Sequence, residues 1–116
     1  MNDETDNSSL LVECLGQGRK LSEMIEYADG AIVSKTILQK KTGTITLFAF
    51  DKGQKLSEHQ SPFDAVVQVV EGKARLTIGG EENQVQSGDI IIMPANVLHA
   101  VAAGERFKML LTMIRS

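Results

Sequence analysis

An all-β sandwich or barrel is the fold class that this sequence predicts, and three observations carry the prediction. From Ser22 onward the chain is a succession of short apolar runs rich in Val, Ile, Leu and Thr. Most runs are closed by a turn signal such as Asp29-Gly30, Thr42-Gly43 or Gly79-Gly80, which is the punctuation of hairpins. No stretch after Ser22 sustains a helical period.

Taken in order, residues 1–9 hold acids, Asn and Ser with no apolar periodicity. Such a segment buries too little to offset its ordering entropy, so a disordered or loosely attached tail is expected there and one domain over 10–116. In 10–21, Leu10, Leu11, Val12 and Leu15 suit either a short helix or an edge strand, ended by Gly16 and Gly18. Gly16-Gln17-Gly18 reads as a turn, since a third Gly and a phosphate-gripping Lys in Walker spacing are both missing. Strands are then expected over 23–27, 31–39, 44–50 and 55–59, parted by turns at 29–30, 40–43 and 51–53. After the turn Ser61-Pro62-Phe63-Asp64 come strands 65–71, 73–78, 83–86, 89–93, 99–102 and 106–114.

Three of these strands are apolar almost throughout: 66–70, 90–93 and 109–114. A strand with one face in water alternates, so both faces are expected to be covered. A second copy in a two-fold homodimer is the simplest cover, and the barrel ends with the N-terminal segment are the alternative.

A chain of 116 residues supports one core without staples. Its 12 Lys and Arg against 15 Asp and Glu form no basic stretch, and Tyr27, Phe48, Phe50, Phe63 and Phe107 are too scattered to stack bases, so nucleic acid is not expected as a partner. Cys14 is the single cysteine, which rules out an intramolecular disulfide and suits a small apolar residue in a reducing compartment. The acidic start lacks the basic-then-apolar order of a secretory signal, and no run reaches the roughly 18 apolar residues of a membrane span. A cytoplasmic protein without a membrane partner is the expectation. Ser57, Ser61 and Ser87 lack the Gly-x-Ser-x-Gly context of an activated nucleophile.

The chemistry concentrates on two histidines. Gly53, five residues, His59 and a later Gly72 form one block; Gly88, five residues, Pro94, one residue, Asn96, two residues and His99 form another. These blocks resemble the paired motifs of the cupins, G-x5-H-x-H-x3,4-E-x6-G and G-x5-P-x-G-x2-H-x3-N, over roughly residues 44–114. The resemblance implies a small RmlC-like jelly-roll barrel, the cupin-type double-stranded β-helix, with a divalent metal held by three histidines and a glutamate. His59 and His99 match two of those ligands. Ser61 stands in place of the second histidine. Ala65 stands at the acid's position, and Asp64, one residue short of the motif's spacing, is the nearest carboxylate to it. Asn96 replaces a glycine, which Asn tolerates in left-handed geometry, and Ala103 replaces the closing Asn.

Two imidazoles seldom hold a divalent ion alone, since tight sites show three or four protein ligands. Asp64 turned inward through a bulge would restore a two-His-one-carboxylate set; otherwise it bonds its own backbone or faces water. The expected cofactor is at most one weakly held divalent metal (Zn, Ni, Mn or Fe). The expected pocket has His59 and His99 as its polar centre, with Ser61, Ala65, Gln68, Met93, Met109 and Met113 around them. The three methionines suit either a pliable cavity wall or plain core packing. Gln68 points either into the site or out to an interface, and Phe63 is a lid or a plug. A non-catalytic protein binding a small molecule is the first expectation. A metal-dependent dioxygenase or isomerase acting on a small organic acid, phenol or sugar is the alternative, and a purely structural module is the third class.

Overall fold

The computed structural model describes residues 10–115, so the expectation for the tail 1–9 lies outside the described residues. Eight strands follow one another: β1 (Ile32–Lys40), β2 (Gly43–Phe50), β3 (Lys55–His59), β4 (Asp64–Ile78), β5 (Glu81–Gln86), β6 (Ile90–Met93), β7 (His99–Ala102) and β8 (Phe107–Ile114). They pair in the order β1-β2-β8-β4-β7-β3, with β5 and β6 also on β4. The result is a jelly-roll barrel, and every strand pairing is antiparallel.

Strand β4 joins the two sheets. Its first half pairs with β8 and β6, and its second half with β5 and β7. The expected separate strands 65–71 and 73–78 are therefore one strand, and Gly72 is its bend. The register shifts between Val69 and Glu71, and Gly72 takes a φ of 78°. A Cβ at this position would collide with the carbonyl oxygen of Arg106. Gly72 thus lets β4 twist from one sheet into the other without breaking its ladder.

Inside the barrel the ring of Phe50 stacks on that of Phe107, with centroids 4.5 Å apart. Leu76, Val67 and Met109 are sealed around them. Burial of this sort, at roughly 25 cal/mol per Å², is the main force closing the two sheets on each other.

The N-terminal segment departs from expectation in a physically simple way. Residues 23–27 form no strand; Leu21–Glu23 is a 3-10 turn, and Met24 and Ile25 are buried side by side. Two adjacent buried side chains do not suit a pleated strand with one wet face. They plug the outside of the β1-β2 sheet against Leu47 and Ala49. Segment 10–21 shows both of its alternatives in miniature, a bridge from Leu10 to Leu38 followed by a 3-10 turn over Val12–Cys14. Tyr27 pins the strap: its hydroxyl donates to Glu71 at 2.7 Å and its ring lies against Arg106 and Lys108. The Lys108 ammonium in turn donates to the Ser22 carbonyl at 2.6 Å. The strap therefore covers part of its own barrel's outer face.

The rest of that face stays open. In β4 the pattern alternates, with Ala65, Val67 and Val69 inside and Gln68 exposed. Ile90 and Ile92 of β6 are 63% and 59% exposed, so the apolar runs 66–70 and 90–93 leave part of their outward side uncovered, while Val70 packs under the N-terminal segment.

Candidate functional site

His59 ends β3 and His99 opens β7, and the two residues are direct cross-strand partners beside a bulge in β3. The pairing brings their rings together with centroids 4.4 Å apart at 71°. His99 is 5% exposed, whereas His59 stands at the open edge of the pair. His59, His99 and Ser61 are the polar side chains among those lining a cavity of about 150 Å³.

The walls of that cavity are apolar. Of the residues anticipated from the sequence, Ala65, Met93, Met109 and Met113 line it. Phe48, Leu56, Val101 and Leu111 complete it and were not anticipated. The signal for Phe48 lay in strand register, since Phe48 pairs with Met109; Leu56 likewise pairs with Val101.

Two anticipated residues lie elsewhere. Gln68 is exposed on the outer face, at the level of Ile90 and Leu110, and lines an external groove with Ser87 and Asp89. It points outward because β4 alternates and its neighbours Val67 and Val69 take the inner face. Asp64 is also exposed, and its Oδ1 accepts the Ala95 N–H at 2.8 Å. That carboxylate is a clamp on the turn 94–97 and not a member of the histidine pair.

The same turn is held from a second side, where the Asn96 N–H donates to the Ser61 carbonyl at 2.7 Å. Asn96 has a φ of 63°, the left-handed geometry that the glycine of the motif would supply and that Asn accepts at modest strain. Asp64 and Ser61 thereby fix the turn that delivers His99 to the cavity. Asp64→Ala is expected to remove about 1 kcal/mol of stability, a few degrees of Tm, while leaving ligand affinity within about threefold. Thermal melts and a binding isotherm read both; loss of binding with an unchanged melt would make Asp64 part of the site after all.

Hydrogen counting defines what the imidazoles can do. The Nδ1 of His59 lies 2.7 Å from the Ser57 carbonyl oxygen, and the Nδ1 of His99 lies 3.2 Å from that of Val97. A carbonyl only accepts, so the tautomers that satisfy both carbonyls put a hydrogen on each Nδ1, and we assign those. The two Nε2 atoms then face each other at 3.2 Å. Three contacts need three hydrogens, and two neutral imidazoles bring two. Burial, and then the neighbouring His59, hold the His99 pKa below its ordinary value, which discourages a third hydrogen from the solvent. The pair is an acceptor-rich pole awaiting a donor or a cation.

A tightly held divalent ion does not fit this donor set. Among the described residues no three His, Cys, Asp or Glu side chains converge. With Asp64 on the turn, the two imidazoles are left without the third and fourth ligands that such sites need.

Fold and site together define a small double-stranded β-helix barrel with a histidine-tipped internal cavity. Residues 46–114 match the Cupin domain family, and the chain belongs to it. An uncharacterized protein of Streptomyces coelicolor is 35% identical over 71 residues, which span 61% of this chain and 66% of that protein, just under two thirds of its length. Among solved structures, a conserved protein of unknown function from Streptococcus pyogenes is 35% identical with a TM-score of 0.84, covering 88% of this chain and 90% of that one. A cupin 2 conserved barrel domain protein from Leptotrichia buccalis is 39% identical with a TM-score of 0.78, over 81% of this chain and 46% of that one. Among the described residues no helix is long and apolar enough to cross a membrane.

Proposed function

We propose that this protein binds a small organic molecule in the His59–His99 cavity and performs no covalent chemistry on it. The observation that supports this reading is the imidazole pair, one hydrogen short, in the lining of a cavity whose other described lining residues, Ser61 apart, are aliphatic, aromatic and thioether groups. Such a pole orients a ligand, while the apolar wall supplies affinity. We place the protein in the cytoplasm on the strength of its single, unpaired cysteine.

A second reading, a metal-dependent dioxygenase or isomerase, draws on the same spacing. Two nitrogens 3.2 Å apart can share one ion at bond lengths of about 2.0–2.1 Å. Elemental analysis of untagged protein beside His59→Ala separates the two. Little metal, equal in both proteins, is expected; near-stoichiometric metal that vanishes in the variant would establish the second reading.

We further propose that a second copy covers the open outer face. Val66 pairs with Ile92 on one side and Thr112 on the other, and Gln68 with Ile90 and Leu110, so one uncharged row crosses three strands. Exposed apolar faces of this kind suit a two-fold interface. Val70 packs under the strap and is a poor probe of it. Ile92→Glu is expected to give a folded monomer by light scattering; a dimer in that variant would remove the proposal.

A further inference from the structure

We infer that, granted the pocket reading above, the cavity selects a single-ring or short aliphatic molecule carrying one neutral hydroxyl donor at one end, and rejects sugars and phosphorylated compounds. Three features of the cavity carry this. The first is size: about 150 Å³ is the volume at which an apolar cavity holds roughly one benzene ring. The second is that polarity is confined to three of the lining side chains. These are the touching rings of His59 and His99 and the Ser61 hydroxyl, while Phe48, Met93, Met109 and Met113 belong to the apolar remainder. A sugar carries hydroxyls around its whole rim, and each one buried against such walls would lose its partner in water without gaining another. A phosphate fares worse, because no Lys or Arg lines the cavity.

The third feature is the sign of the pole. With both Nδ1 hydrogens engaged on the Ser57 and Val97 carbonyls, the Nε2 atoms offer lone pairs. A hydroxyl that points its hydrogen at either Nε2 gives that lone pair a donor. A carboxylate brings only lone pairs of its own and meets the pole with like polarity. The Ser61 hydroxyl oxygen accepts the Phe63 N–H at 3.2 Å, which leaves its own hydrogen free to donate elsewhere in the cavity lining. Methionine sulfurs around an aromatic ring add favourable contact without demanding one orientation.

The test is isothermal titration calorimetry of the full chain with five probes: 4-methylphenol, toluene, benzoate, glucose and glucose 6-phosphate. The expected result is that 4-methylphenol binds at least about tenfold more tightly than toluene, because a site that pairs a hydroxyl rejects the analogue lacking it. Benzoate and both sugars are expected to give no heat. In His99→Leu the preference for 4-methylphenol over toluene is expected to vanish while toluene still binds, which shows the cavity intact. Equal affinity for 4-methylphenol and toluene in the native chain, or tighter binding of benzoate, glucose or glucose 6-phosphate, overturns the ligand class and leaves the pocket reading standing. Silence from all five probes overturns both.

Discussion

Gly72→Ala is expected to cost this domain about 3 kcal/mol or more of unfolding free energy, a large share of the roughly 5–15 kcal/mol that domains possess. Two penalties combine. A φ of 78° carries a side chain at a strain of about 1–2 kcal/mol. The added Cβ also meets the Arg106 carbonyl and the Phe107 side chain and backbone, and Phe107 is the fully buried partner in the central aromatic stack. Relief of that collision requires β4 and β8 to part at the point where β4 passes between sheets. Gly80→Ala is the matched control, because Gly80 has a similar φ of 86° but nothing near its absent Cβ. Urea titration of both variants isolates the close approach as the difference between them. Equal losses would show that only backbone strain matters at Gly72.

Individual residues show what the sequence disclosed and what it withheld. Strands β3 and β7 coincide with expectation at both ends, because turn residues bracket them and their side-chain types suit a pleat. The histidine pair was legible because two separate spacings converged on a single resemblance, and the structure places the rings in contact. Asn96 was legible for a local reason, its tolerance of positive φ.

Other features depend on contacts that sequence spacing does not encode. Gly72 has the same local signature whether it ends a strand or bends one; the approach of Arg106, 34 positions on, decides. Met24 and Ile25 look like strand residues until the outer face of β2 is there to receive them. Asp64 is the carboxylate beside the motif's acid position, but its place at the start of β4 puts the Ala95 N–H within its reach. Gln68 illustrates the period of two, since its side follows from Val67 and Val69 once their burial is known. The cavity wall was read only in part because Phe48 and Leu56 reach it across sheet register rather than along the chain.

His99→Leu is expected to weaken binding of the hydroxyl-bearing probe by about tenfold or more, on the scale of a lost charge-free hydrogen bond. The same change is expected to improve the fold in acid. In the native chain, burial and the facing His59 hold the His99 pKa below the ordinary value of about 6.5. The unfolded chain therefore binds a proton there at a higher pH than the folded chain does. Linkage then fixes the sign: the stability carried by neutral His99 is present above about pH 6.5 and is lost as pH falls below it toward the folded pKa. The slope approaches at most about 1.4 kcal/mol per pH unit for one proton. Leucine has no proton to bind, so its variant lacks that contribution to the slope. At pH 8 the variant is expected within about 1 kcal/mol of the native protein, the apolar side chain filling the slot while the Val97 carbonyl loses its donor. Chemical denaturation at pH 8 and pH 5.5 decides the matter. A native chain equally stable at both values, or a variant that loses as much as the native chain on acidification, would mean that His99 already carries its proton in the folded state. The pole of the cavity would then be cationic at about pH 5.5, and a carboxylate would be preferred over a neutral hydroxyl at that pH.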